Sequence, residues 1–190
     1  MPLFVRAVRS AQFTSISAGR GFNAPAPSVH VSPADHVSFG SKQDDCWNSL
    51  SLHADVALYW GLRRVWRGEQ TLDEAGIALI EGHNLPIVVP LFTEDDCAAA
   101  MLDARATALA VDAQEALTQY VPPIAIVRAW SFAEILGNVT PGDFWEMCSS
   151  ESLSGPLASR LLALFPDECL SPWVLRSSSS DSEKGYDLDR

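Results

Sequence analysis

Positive charge is scarce in this 190-residue chain, where 13 Lys and Arg face 24 Asp and Glu for a formal net charge of −11. Affinity for nucleic acid rests on basic side chains neutralising phosphates, so that balance argues against a nucleic-acid partner. Long apolar runs are missing as well. No stretch of about 18 apolar residues occurs, and segment 1–13 lacks the continuous apolar centre of a signal peptide, so a cytosolic chain with no membrane partner is expected. Cys46, Cys97, Cys148 and Cys169 lie far apart, without the paired spacing of zinc ligands or redox motifs, and are expected as reduced, mostly buried thiols. His30, His36, His53 and His83 form no HxxxH or HxH pair, so no metal is expected. There is no Walker loop, and Gly19-Arg20-Gly21 lacks the strand and helix that flank a dinucleotide fingerprint. The GxSxG elbow is absent too, which weighs against a hydrolase triad.

What is present is ordinary globular composition, with 47% apolar and 19% charged residues. One α+β domain over residues 1–176 is expected, followed by an acidic, Ser-rich tail over 177–190 that cannot bury apolar surface and should be disordered. The acidity is uneven. The first 34 residues hold Arg6, Arg9 and Arg20 and no acid, which leaves room for a local anion site.

Leu3 to Val8 fits a first strand interrupted by Arg6, and Ser10 to Pro33 reads as a long Ser, Gly, Asn and Pro loop. His36 to Phe39 suggests a second short strand. Trp47-Asn48-Ser49-Leu50-Ser51 reads as a polar turn leading into the strongest helix pattern, from Ser51 to about Arg67, with Ser51 suited to the N-cap. Ile77 to Ile80 is a helix end or a strand. Pro86 and Pro90 confine the strand in Asn84 to Phe92 to an edge, or to Ile87-Val88-Val89. Thr93 to Ala110 reads as an interrupted helix, and Asp112 with Glu115 matches a capping box that starts a short helix to Tyr120. Pro122 to Trp130 is the clearest strand, and Ser131 to Val139 reads as a further extended segment through Glu134. Thr140-Pro141-Gly142-Asp143 starts a helix, and a last one spans Pro156 to Phe165.

Three features remain in chain order: Arg6 on the first strand, Ser49 and Ser51 before the long helix, and Glu134 late in the chain beside a strand. This order resembles the ADP-ribosyltransferase family. Residues 134–141, Glu-Ile-Leu-Gly-Asn-Val-Thr-Pro, are also similar to a late segment of uncharacterised fungal transferase-like domains. The resemblance implies two small sheets about a cleft with flanking helices, and NAD as substrate. It assigns Glu134 as the carboxylate facing the positive charge that builds on the ribose when the nicotinamide bond breaks. It gives Arg6 a phosphate or ribose, gives Ser49 or Ser51 a buttressing role, and offers Trp47, Tyr59 or Trp60 as a ring for nicotinamide. Each residue also has a purely structural reading: Arg6 snorkelling to the surface or paired with an acid, Ser51 as a helix cap, Glu134 as a solvated strand-end acid, and Tyr59 and Trp60 in the core. The alternative function is a structural or interaction subunit of a larger assembly, such as a virus particle, or a homo-oligomer. The long Ser10 to Pro33 loop, six Trp residues and the acidic tail would suit such contacts. A weaker third reading is an acidic inhibitor that mimics a polyanion for a basic partner.

Overall fold

The structure is a computed structural model that describes residues 2–39, 45–149, 156–172 and 174. The expected tail at 177–190 lies outside them. Within them the chain forms a mixed α/β fold around a six-stranded antiparallel sheet, with a separate two-stranded sheet beside it. The large sheet contains β1 (Leu3–Val8), β3 (Asn48–Ser51), β4 (Gly76–Glu81), β5 (Val89–Leu91), β6 (Glu115–Thr118) and β8 (Ile126–Ser131), in the order β5-β6-β3-β1-β4-β8. β2 (Phe22–Asn23) and β7 (Tyr120–Val121) form the small one.

Pairing strength is uneven across the large sheet. β1 and β4 are in register from Leu3↔Glu81 to Val8↔Gly76, and β3 and β6 from Asn48↔Thr118 to Ser51↔Glu115. Between these halves β1 and β3 share one register pair, Val5↔Ser51. The sheet is therefore two three-stranded halves hinged at that pair. Beyond it the Ser49 carbonyl has no strand partner on this side and instead accepts a 2.5 Å hydrogen bond from Arg6 Nη1, so a side chain stands in for a ladder donor.

Strand alternation puts Phe4 and Val8 on one face of β1, where they pack with Phe22, Ala78, Ile80 and Val121. Val5 faces the other way, toward α3 (Ala54–Trp66), α6 (Phe132–Leu136) and α8 (Pro156–Leu164), among Leu58, Ile77, Phe132 and Leu161. α3 presents two stripes. Ala54, Ala57, Leu58, Gly61 and Leu62, at helical spacing, are buried on the sheet. Gly61 is required there, because a Cβ would come within 2.1 Å of the Phe132 ring. Val56, Trp60, Arg63, Arg64 and Arg67 form the second stripe, turned toward a cleft.

Several expectations need correcting. Residues 10–33 do not form one loop: α1 (Ser10–Ser17) opens it, held by Gln12 Oε1 accepting from Arg9 N. His36 lies on α2 (Pro33–Phe39), not a strand, because Ser32 Oγ accepts from Asp35 N and caps a helix that begins at Pro33. Residues 48–51 are a strand, not a turn. Their polarity is satisfied from afar: Asn48 bonds Gln12 and Gln119, and Ser51 Oγ donates to Ala113 O at 2.6 Å. Ser51 accepts from His53 N, but the N-cap position of α3 is His53, which makes no side-chain cap bond. The Asp112 helix is absent, since Gln114 with φ 47° turns the chain from α5 (Ala104–Asp112) into β6. Residues 132–136 are helical, not extended, because Ser131 and Glu134 form a reciprocal capping box. Ile77 to Ile80 resolves to strand, and α4 (Glu94–Ala99) and α5 are the interrupted helix, broken where Met101 has φ 60°. Pro90 sits on edge strand β5, as its missing N–H demands. Thr140 caps α7 (Pro141–Ser149), bonded to Asp143 as expected. No helix among the described residues is long and apolar enough to cross a membrane.

Candidate functional site

The hinge between the two halves opens a cleft of about 920 Å³. Its floor follows from strand register. Val5 pairs with Ser51 and Ser51 with Glu115, so all three share a face, and alternation adds Ser49. α3 forms one wall, α2 and the end of α5 the other, and the start of α1 closes one end.

Five arginines, Arg6, Arg9, Arg63, Arg64 and Arg67, line this cleft against two acids, Glu69 and Glu115. In a chain of net charge −11 that concentration of positive charge is a local reversal. Like charges crowd one another there. Burial, then Arg64 and Arg9, lower the Arg6 guanidinium to about 9, and burial and Arg9 lower Arg64 to about 10. Both remain cations at neutral pH, in surroundings that an anion would relieve. Arg6 is 5% exposed and stands 5.9 Å over the Phe22 ring, while its Nε has no hydrogen-bond partner. At the mouth, Trp60 is half exposed beneath the Arg63 guanidinium, 5.3 Å from its ring centre.

On the floor, burial raises Glu115 to about 7, opposed by a hydrogen bond with Ser49 and the charge of Arg6. Ser49 Oγ also lies 2.7 Å from His36 Nε2, and His36 Nδ1 bonds the Asp45 carboxylate closely. Asp45 Oδ1 accepts from Trp47 N at 3.0 Å. Burial holds the His36 pKa below its usual value against the pull of Asp45, so the ring is neutral at pH 7. A carboxylate only accepts, so the ring proton belongs on Nδ1 and Nε2 takes the Ser49 proton. Ser49 has one proton to give. His36 Nε2 and the Glu115 carboxylate compete for it.

The candidate residues divide. Arg6, Ser49 and Ser51 meet in the cleft, and Trp60 joins them. Glu134 does not: it is exposed on α6, and its carboxylate accepts from Ser131 N at 2.7 Å. The helix follows β8, two strands from β1. Trp47 turns away, donating from Nε1 to Val31 O, and packs near Leu117 and Cys97. Tyr59 packs edge-on against Trp60 and Trp145 at the core margin and does not line the cleft. Sequence reasoning missed Glu115, His36 and Asp45. An Arg-rich second stripe on α3 was the available signal. Cys46, Cys97 and Cys169 are buried free thiols, and the Cys148 side chain falls outside the described residues. Among the described residues, no cluster of three or more His, Cys, Asp or Glu is placed to hold a metal.

Comparison with models of known families, with curated proteins and with solved structures finds no match.

Proposed function

We propose that the cleft binds NAD or a related nucleotide in an ADP-ribosyltransferase-like manner, with Glu115 in the role first given to Glu134. The observation that carries this reading is the convergence of five arginines on a cleft whose floor holds a largely buried acid. Guanidinium groups match phosphate oxygens in charge and geometry, so a pyrophosphate suits the arginine wall. Trp60 offers a flat, half-exposed ring for a base beside it.

Breaking the bond between nicotinamide and ribose builds positive charge on the sugar, which a fixed carboxylate in a dry site stabilises. Glu115 is fixed by Ser49 and lies in the field of Arg6. Only its ionised form can stabilise that charge. Turnover should therefore rise with pH through about 7, the value to which burial lifts this carboxyl.

Calorimetric titration with NAD tests binding. We expect heat that weakens as salt rises, because the attraction is ionic, and loss of binding in Arg63→Glu/Arg64→Glu. Absence of binding at millimolar NAD would end this reading.

A further inference from the structure

The nucleotide reading gives no work to His36 and Asp45. Their geometry is that of a serine made nucleophilic: hydroxyl to imidazole nitrogen at 2.7 Å, and the opposite ring nitrogen on a carboxylate. Such relays are recognised by geometry and roles rather than by sequence order, so the missing GxSxG elbow does not decide against it. The base is dry, since His36 and Asp45 are each 2% exposed. Its substrate side is nevertheless open, because both His36 and Ser49 line the cleft. Asp45 is itself held by Trp47 N, so the ring is oriented from behind. Arg6 lines the same cleft, and its guanidinium places positive charge near an oxygen that gains negative charge.

We propose that Ser49 is a nucleophile activated by His36 and Asp45, and that the cleft takes an ester bearing a carboxylate or phosphate group. His36 Nε2 accepts the Ser49 proton as Oγ bonds to the ester carbonyl carbon. The bond from that carbon to the alcohol oxygen breaks, and the alcohol leaves with the proton from His36. Water then gives a proton to His36 and its oxygen to the acyl carbon, and Ser49 departs and regains its proton. The net reaction is ester plus water to acid plus alcohol. The arginine wall holds the anionic group, and the charge of Arg6 favours the oxyanion that forms.

The test contains no NAD, so its outcome is separate from that of the nucleotide reading. The full chain is incubated with an alkyl fluorophosphonate, and the adduct is located by peptide mass spectrometry. One adduct on Ser49 is expected, formed at least ~100-fold more slowly in His36→Gln and Asp45→Asn. Asp45→Asn is nearly isosteric, keeps an oxygen for Trp47 N, and serves as the deciding variant if His36→Gln melts early by circular dichroism. An aryl ester carrying a carboxylate should be hydrolysed about 10-fold faster than its neutral analogue. No adduct, an adduct only elsewhere, or wild-type labelling of folded Asp45→Asn would overturn the nucleophile. Equal rates for the two esters would overturn the substrate class.

Discussion

Glu115 opens β6 at the hinge of the sheet, largely buried, raised to about 7, beside Ser49 and within reach of the Arg6 charge. Glu134 opens α6 on the other half of the sheet, exposed, with its carboxylate on the backbone N–H of Ser131. Around Glu134 the neighbours Phe132, Ile135 and Leu136 fill the main core. Around Glu115 the neighbours are a histidine, a serine and arginines. The Glu115 arrangement costs stability and the Glu134 arrangement adds to it. That contrast shows where the fold holds an acid at its own expense, the arrangement on which the proposed site rests.

The largest effect is expected in the α6 region. Phe132→Ala removes a fully buried ring from against Gly61 and should cost ~3–5 kcal/mol by urea unfolding. A cost under ~1 kcal/mol would mean α6 is not part of the core.

Glu115→Gln should act in the opposite sense. A carboxyl raised from 4.5 to about 7 holds a proton in the folded state that the unfolded chain has released. Wild-type stability therefore falls as pH climbs from about 4.5 to 7 and then levels. The variant escapes this loss and should be more stable by ~1–3 kcal/mol at pH 8 and equal at pH 4. A destabilised variant at pH 8 would show that Glu115 is held by a partner that favours its ionised form.

The smallest effect belongs to the cap. Ser131→Ala removes the hydroxyl that accepts from Glu134 N and should cost ~1 kcal/mol in thermal unfolding. NAD binding by the cleft should not change.

The same contrast explains what could be read from the sequence. Both acids stand three residues after a capping residue, as Asp112-Ala-Gln-Glu115 and Ser131-Phe-Ala-Glu134. Locally they are alike, and the reading assigned the cap to the first and the chemistry to the second. The structure moves the cap to the second, because pairing with β3 draws Glu115 into a strand while Phe132 and Ile135 fold α6 onto the core. Local signals sufficed where they agreed with tertiary packing: the Leu3–Val8 strand, the 3.6-period pattern of α3, the Thr140 cap and the proline edge strand. They failed for β3, whose Asn48 and Ser51 look like turn residues until Gln12, Gln119 and Ala113 meet them. His36 and Asp45 meet Ser49 only when α2 folds beside β3, and no spacing in the sequence announces that. The convergence of Arg6 with Ser49 was legible. The position of Glu115 beside them was not.

Nicotinamide release from NAD, followed at pH 8 for wild type, Glu115→Gln and Glu134→Gln, tests the central claim directly. The account predicts a fall of ~10²–10³-fold in Glu115→Gln and wild-type rates in Glu134→Gln. Loss of activity in Glu134→Gln with Glu115→Gln unaffected would contradict it.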